Sequence, residues 1–443
     1  MRQQLPVLLK RLNKIPDPRN PNKLKHQFTV LMLYGILVFV FQYASRRAAN
    51  GEITRPMFED NLRLLFPQLE TLPHADTLFR LLCRIDVSQI EQAHVELVNH
   101  LIRGKKFTRY LVNNCYPIAT DGSQKIAFSI LWDEHLLQRK RKRKSELDAD
   151  EEPDYQYYVY VLEASLSFGN GMVIPLMSQF LEYQPDHGEQ SKQDCEQKAF
   201  HRLAARIKEA FPRLSIMLLL DGLYPNGPIM DRCRNYHWDF MIVLKDDSLP
   251  SAWEEYHGLK GYQDENQKRQ NWGERRQHFQ WVNQIRYEFG ANGKKYIDIN
   301  VVLCRERWEE VDPKTLKIVP KTMKYAWISS RPIRRLNVHT RCNLGARHRW
   351  GIEAGFLVEK HQGYSYEHAF AKNWNAMKGY HSLMRLAHLI NTLARFSKQL
   401  AGLFATLGVQ AAIGFIRTTL TGPWLDAQQI EERLSRPFRL RLI

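Results

Sequence analysis

Three acidic residues lie where the local sequence would bring their carboxylates together. The segments YLVNNCYPIATDG and LSIMLLLDG are typical of buried strands, and they end on Asp121 and Asp221, each followed by glycine. Glu353 lies later, in a segment with helical spacing. Ligands collect at the ends of parallel strands in an open sheet. Two carboxylates there and a third from a helix could hold two divalent cations about 3.5 to 4 Å apart, an arrangement suited to phosphodiester displacement.

The donor set indicates which metal to expect. Carboxylate oxygens without a cluster of His or Cys favour Mg²⁺, with Mn²⁺ as the alternative. We therefore predict that Asp121, Asp221 and Glu353 are the catalytic and metal-binding residues. A single Asp-Gly pair after a strand is also typical of an ordinary turn, so the hypothesis depends on the three acids together.

Glu353 lies between two cations in the segment RHRWGIEAGFLVEK. At about 100° per residue, Arg349, Glu353 and Lys360 fall on one face of a helix, whereas Glu359 points elsewhere. A solvated stripe of ion pairs is one interpretation, because opposite charges at this spacing are common on helix surfaces. The other interpretation is a carboxylate that reaches a metal while its flanking cations reach an anionic substrate.

The composition indicates a globular protein with a polyanionic partner. The chain has 443 residues, a formal net charge of +17 and a sequence pI of about 9.5, which favours nucleic acid as the partner. Its six cysteines are scattered without a C-x-x-C pair, a pattern that fits a reducing cytoplasm. The N-terminal residues lack the apolar core of a signal peptide. Residues 28–44 are uncharged, and we expect a buried core helix there rather than a membrane span.

The pattern of helical and strand periodicity along the chain predicts an α/β fold with an N-terminal domain, a catalytic core, an inserted β subdomain and a C-terminal tail. Helical periodicity over 1–108, with a basic leading edge, predicts a DNA-binding domain. Strand and helix patterns over 109–245 and 336–396 predict the catalytic core, in the order strand, hairpin, helix, strand, strand. Alternating segments at 246–335 predict an inserted β subdomain. Residues 397–443 are predicted to form a helical, basic tail.

The residues singled out so far resemble the DDE transposases of bacterial insertion sequences, in the cut-and-paste branch with a Tyr-Arg-Glu-Lys signature. That signature runs Y-x2-R-x3-E-x6-K, and Arg349, Glu353 and Lys360 match its last three members. The tyrosine is not matched, because Ala346 stands at its position. The resemblance extends over about residues 110–395 and includes both Asp-Gly strand ends, and PDPR at 16–19 resembles the N-terminal region of related elements.

The resemblance implies a ribonuclease-H-like core in which Asp121, Asp221 and Glu353 bind two Mg²⁺ ions, while Arg349 and Lys360 hold DNA phosphates. It implies a transposase that nicks double-stranded DNA at the element ends and transfers the strand to target DNA. A homodimer in the synaptic complex, a cytoplasmic, nucleoid-associated location and no membrane partner would follow. The alternatives are a transposase-derived DNA-binding protein without cleavage and a metal-dependent nuclease without strand transfer. We expect Trp327, Trp350 and Trp374 to be buried rather than stacked on a flipped base.

Overall fold

The computed structural model describes residues 5–53, 55–66, 69–141, 155–183, 194–422, 426–436 and 441–443. In these ranges the chain is mixed α/β, which confirms the predicted class. The strands are β1 (Tyr116–Phe128), β2 (Leu137–Lys140), β3 (Tyr155–Ser167), β4 (Val173–Leu181), β5 (Ile216–Leu220), β6 (Asp239–Val243), β7 (Gln267–Trp272), β8 (Arg275–Phe289), β9 (Lys295–Val311) and β10 (Ile318–Ser329).

The helices before β1 are α1 (Leu5–Leu12), α2 (Phe28–Val40), α3 (Arg46–Ile53), α4 (Pro56–Leu65), α5 (Ala75–Leu82) and α6 (Ser88–Arg103). Between strands lie α7 (Glu196–Ala210), α8 (Gly227–Asn235) and α9 (Pro250–Leu259). After the last strand come α10 (Val338–Cys342), α11 (Gly351–His361), α12 (Trp374–Arg395), α13 (Ala401–Leu407), α14 (Val409–Thr421) and α15 (Ala427–Ser435). A short 3-10 helix, Ala346–Trp350, leads directly into α11.

The described strands form one mixed sheet. Its main path runs β2-β3-β1-β5-β6-β10-β9-β8-β7, and β4 pairs with β3. β3 and β4 form the antiparallel hairpin predicted around Gly169–Gly171, and Gly171 adopts the positive φ of 81° that such a turn requires. β5 is parallel to both β1 and β6. β10 pairs antiparallel with β6, so the strands of 246–335 extend the same sheet.

The central strand β5 is buried on both faces, as its unbroken apolar sequence predicts. Ile216, Leu218 and Leu220 face a large core shared with the N-terminal helices and α12, whereas Met217 and Leu219 face a second core. The second core includes Ile352 and Phe356 of α11. The sheet is therefore packed on both sides, and Ile352 and Phe356 hold α11 against the second core.

Two local predictions were wrong. β1 does not end on Asp121, because antiparallel pairing with β3 continues from Ile118 to Phe128 after the parallel neighbour β5 has stopped at Leu220. The predicted order also omitted α8, a short helix with no strong apolar periodicity. Asn226 begins α8 by accepting a hydrogen bond from the N–H of Ile229 at 3.0 Å, and a proline follows at the first turn.

Residues 28–40 of the uncharged segment form α2, and every residue of that helix except Thr29 is buried in the protein, as predicted for a core helix. A helix that is apolar on every side is typical of a core position. Among the described residues, no single helix is long and apolar enough to cross a membrane. The bent pair of α13 and α14, with an angle of 115°, meets only the criteria of length and composition.

Candidate active site

Asp121 and Asp221 lie at neighbouring positions on two parallel strands. Ala119 of β1 is opposite Leu219 of β5, and each aspartate follows two residues later. Asp121 belongs to the longer strand β1, whereas Asp221 begins the loop after β5. The Oδ1 atom of Asp221 accepts a hydrogen bond from the N–H of Leu223 at 2.9 Å, which fixes the start of that loop.

The two aspartates repel one another. Burial raises the pKa of Asp121 to about 6, and the negative charge of Asp221 contributes to the rise, while Arg349 opposes it. A buried carboxylate beside a second negative charge is stabilised in its charged form by a nearby cation. The pair therefore has the electrostatics of a site for a positive charge.

Arg349 supplies such a charge and links Asp121 to Glu353. Its Nη1 atom lies 3.6 Å from Oδ2 of Asp121, and its Nη2 atom donates a 2.7 Å hydrogen bond to Oε1 of Glu353. The spacing of four residues produces the second contact, since the 3-10 helix continues into α11. Glu353 lies in the first turn of α11, where a negative charge is favoured by the helix dipole.

The predicted acids do not converge as a complete set of metal ligands. Within the described part of the chain, no group of three His, Cys, Asp or Glu side chains is close enough to hold a metal ion. Asp121 and Asp221 are neighbours, but the carboxylate of Glu353 is turned towards Arg349. The donor chemistry fits a hard divalent cation, and the guanidinium already places a positive charge between two of the three carboxylates.

Lys360 and Glu359 lie apart from this cluster. Lys360 Nζ is 3.4 Å from Oε1 of Glu367, an exposed partner beyond the end of α11. Glu359 is fully buried on the other side of the helix, as the helical spacing indicated, and it pairs with Arg385 and His388 of α12. α11 thus carries Glu353 and Glu359 on different faces, and Glu359 anchors the helix to α12.

A cavity of about 730 Å³ opens beside Asp221 and Arg349. Its walls combine cations with aromatic rings: Lys245, Arg275, Lys324, Arg347, Trp272, Tyr325, Trp327 and Trp350. Trp327 and Trp374 are buried, as predicted, but the prediction was wrong for Trp350, whose residue surface is 60% exposed. Trp350 ends the 3-10 helix at the mouth of the cavity, and its side chain is open to solvent there.

Arg347 is fixed in this cavity by rings and by a buried acid. Its guanidinium carbon lies 4.2 Å from the ring centre of Tyr325 and 4.8 Å from that of Trp272. It also pairs with Glu306, which is fully buried. Rings and fixed cations side by side are the combination that contacts the bases and phosphates of nucleic-acid strands. Sequence reasoning missed this group, because its members come from four separate segments.

A fourth carboxylate, Glu196, also lies beside the aspartates and was not predicted. Its two oxygens accept hydrogen bonds from the hydroxyls of Tyr160, at 3.0 Å, and Tyr224, at 2.7 Å. A Cβ atom at Gly122 would lie 2.7 Å from Oε2 of Glu196 and 2.6 Å from the hydroxyl oxygen of Tyr160, so Gly122 allows these side chains to approach the strand closely. The signal in the sequence was the position of Glu196 in the first turn of the helix that leads into β5. Lys245 offers a similar signal, because it follows β6 at the edge where Asp221 follows β5.

Comparison with known families adds evidence from a different part of the chain. Residues 9–98 match the family model described as DDE_Tnp_1-associated. This match supports a DDE-type transposase family. The matched residues cover α2 to α5 and parts of α1 and α6, so they do not include the carboxylates of the candidate site. No curated protein matches the chain.

Proposed function

We propose that this protein is a transposase that cuts double-stranded DNA at the ends of a mobile element and joins the freed strand to target DNA. The observation that carries the proposal is the pair Asp121 and Asp221 on adjacent parallel strands, joined to Glu353 through Arg349. The DDE_Tnp_1-associated match at 9–98 supports the same class independently, because it involves none of these residues.

We further propose that the central strands form a ribonuclease-H-like core. The order β4-β3-β1-β5-β6 has three antiparallel strands followed by two that are parallel to β1. α7 connects β4 to β5, and α8 connects β5 to β6. This arrangement supports the proposed core. In it, β1 carries Asp121 and the end of β5 leads to Asp221, so both aspartates lie at one edge of the sheet.

In the proposed reaction, Asp121, Asp221 and Glu353 hold two divalent cations, Mg²⁺ or Mn²⁺. When bound, such cations lower the pKa of water and offset charge on the scissile phosphate. Lys245 and Arg347 attract the phosphate backbone into the cavity, and Trp350 offers an exposed ring for an unpaired base. Lys360 releases its exposed ion-pair partner Glu367 and contacts a DNA phosphate instead.

The proposed partners are the element ends and the target, both double-stranded DNA, and a second copy of the chain that would hold the other end. The net charge of +17 supports a DNA partner. The proposed location is the bacterial cytoplasm, at the nucleoid. The N-terminal helices are the proposed DNA-binding domain, with exposed lysines such as Lys14, Lys23 and Lys25 on their leading edge.

The decisive experiment incubates the full chain with Mg²⁺, a supercoiled plasmid that carries the gene with its natural flanks, and a differently marked target plasmid. We expect nicks at fixed positions in the flanks and covalent joining of flank DNA to the target. Changing Asp121, Asp221 or Glu353 to Ala should abolish both products while DNA binding remains. Asp298→Ala is the matched control, because Asp298 is an exposed acid on β9 towards the opposite edge of the sheet.

The products also separate the alternative functions. Nicking without joining would favour a metal-dependent nuclease. Binding without nicking, in the presence of either Mg²⁺ or Mn²⁺, would favour a transposase-derived DNA-binding protein. Full activity in Asp221→Ala would contradict the assigned carboxylates.

A further inference from the structure

Arg349 is a buried cation held between two carboxylates. The residue is 8% exposed, and its guanidinium contacts Asp121 through Nη1 and Glu353 through Nη2. Its Nε atom is buried without a hydrogen-bond partner. A buried donor without a partner is unfavourable, so this arrangement leaves part of the binding capacity of the guanidinium unused.

The same contacts keep Glu353 away from the two aspartates. A hydrogen bond of 2.7 Å to Arg349 holds its carboxylate, and no three acids in the described residues converge on a metal position. Arg349 cannot release Glu353 by losing its positive charge, because the pKa of an arginine is too high for deprotonation. Arg349 and a divalent cation must therefore compete for the carboxylate of Glu353.

A phosphate is the ligand that would end this competition. The planar guanidinium binds phosphate through two parallel hydrogen bonds, which are stronger than a contact with one carboxylate oxygen. Arg349 lines the 730 Å³ cavity with Lys245 and Arg347, so a phosphate drawn in by these cations can reach it. The side chain of Glu353 is 46% exposed, so it can turn towards the aspartates without disturbing the core.

We propose that Arg349 is a gate operated by DNA. Its guanidinium keeps Glu353 from binding a metal ion beside the two aspartates until a DNA phosphate binds the guanidinium and releases Glu353. The proposal rests on the proposed function, since it assumes that Glu353 is a metal ligand. It requires DNA binding and metal binding to strengthen one another. By thermodynamic reciprocity, the two ligands must raise each other's affinity by the same factor.

The test measures Mn²⁺ binding by the full chain from the electron paramagnetic resonance signal of free Mn²⁺, with and without a duplex oligonucleotide taken from the gene flank. The wild-type chain should bind Mn²⁺ about tenfold more tightly when DNA is present, a size typical of coupled sites. Glu353→Gln with the same duplex is the background, because it accounts for Mn²⁺ that is held without the Glu353 carboxylate, by DNA or by the two aspartates. This part needs no variant of Arg349, so it stands even if such variants fold poorly.

The variant Arg349→Gln removes the competing charge and keeps a polar side chain. Without DNA it should bind Mn²⁺ about tenfold more tightly than the wild-type chain does, and DNA should give no further gain. Arg276→Gln is the matched control, since it removes one exposed positive charge on β8 and should behave like wild type. Unchanged or weaker Mn²⁺ binding by folded Arg349→Gln would overturn the gate.

The failure of the gate differs from the failure of the proposed function. If Asp121→Asn loses Mn²⁺ binding but DNA does not change the Mn²⁺ affinity of the wild-type chain, the gate is contradicted and the proposed metal site is supported. Absence of Mn²⁺ binding by the wild-type chain, with or without DNA, would overturn the metal-dependent function and the gate with it. As a reciprocal check, Ca²⁺ at constant ionic strength should raise DNA affinity in wild type and not in Glu353→Gln.

Discussion

Glu359 and Arg385 join the helix that carries Glu353 to its neighbour, with Nη1 of Arg385 2.9 Å from Oε1 of Glu359. Both side chains are buried. Arg385 also reaches Glu163 of β3, at 3.2 Å, and so ties α11 and α12 to the sheet. Because Glu353 lies six residues before Glu359 on the same helix, this buried network determines where the face of α11 that carries Glu353 points.

We expect Glu359→Ala to reduce the free energy of unfolding by about 3 kcal/mol, because removing one member of a buried ion pair leaves a buried charge poorly compensated. Arg385 keeps Glu163 as a partner, which places the loss at the lower end of the usual range. Urea unfolding followed by tryptophan fluorescence measures this quantity. The control is Glu367→Ala, an exposed partner of Lys360, with an expected change below about 1 kcal/mol. Equal losses in the two variants would contradict the anchoring role.

The same carboxyl makes stability depend on pH. Burial alone would raise the pKa of Glu359, but Arg385 and the hydrogen bond from His388 outweigh burial and lower it to about 2. The folded-state pKa lies below the ordinary value of 4.5, so the stabilisation is fully present above pH 4.5 and is lost as the pH falls towards 2. The charged or titratable groups around it include Lys125, Glu163, Tyr364, Tyr366, His381, His388 and Arg385.

Urea unfolding of wild type and Glu359→Gln between pH 7 and about pH 3 measures this dependence, since the glutamine keeps the shape and removes the charge. The difference between the two free energies of unfolding should be constant above pH 4.5 and should shrink below it. Parallel curves throughout that interval would show that the pKa of Glu359 is not lowered.

Local patterns were sufficient to predict much of the fold. The apolar run of β5, the turn between β3 and β4 and the uncharged helix α2 each depend on neighbours in sequence, so periodicity and turn residues predicted them. The ion pair of Arg349 and Glu353 also follows from a spacing of four residues.

The rest of the site depends on contacts between distant segments. The pairing of β10 with β6 brings Tyr325 and Trp327 to the cavity, and nothing in either segment alone specifies that pairing. The contact of Arg349 with Asp121 spans the two halves of the proposed core, so its effect on Glu353 could not be predicted from spacing. Trp350 looked like a core residue by type, but its exposure depends on where the 3-10 helix ends.

Neutralising Lys360 should weaken DNA binding in a way that depends on salt. If Lys360 contacts one phosphate, Lys360→Gln should make the slope of log affinity against log salt shallower by about 0.9, because one fewer counterion is released. Lys314→Gln, in the exposed turn between β9 and β10, is the control for the loss of one charge. Fluorescence anisotropy of a labelled duplex over a range of salt concentrations gives both slopes. An unchanged slope in Lys360→Gln would return this residue to the surface ion pair with Glu367.

Trp350 should contribute to binding without contributing to stability. Trp350→Ala is expected to weaken binding of a mixed-sequence single strand by about 1–3 kcal/mol, the value of one stacked base. Its free energy of unfolding should change by no more than about 0.5 kcal/mol, because the side chain is exposed. Leu357→Ala is the control, since Leu357 is an exposed apolar residue of α11 that does not line the cavity. The same loss of affinity in both variants would indicate a general effect of surface apolar area.

The N-terminal helices should not be separable from the rest of the chain. Asn391 of α12 donates a hydrogen bond to the carbonyl of Val40 at 3.1 Å, and Asn375 donates to the carbonyls of Leu82 and Ile85 at 2.8 Å. The apolar side chains of α2 share one core with those of α12. A chain that begins at residue 109 would therefore expose the face of α12 that α2 covers.

We expect that shortened chain to aggregate, because a large exposed apolar patch is a strong driving force for association. Size-exclusion chromatography with light scattering, beside the full chain at equal concentration, measures this outcome. A monodisperse, soluble product would show instead that 1–108 is an independent domain. If aggregation is observed, DNA recognition by the N-terminal helices has to be tested in the full chain. Replacing Lys14, Lys23 and Lys25 with Gln leaves the buried interface intact, because these side chains are exposed.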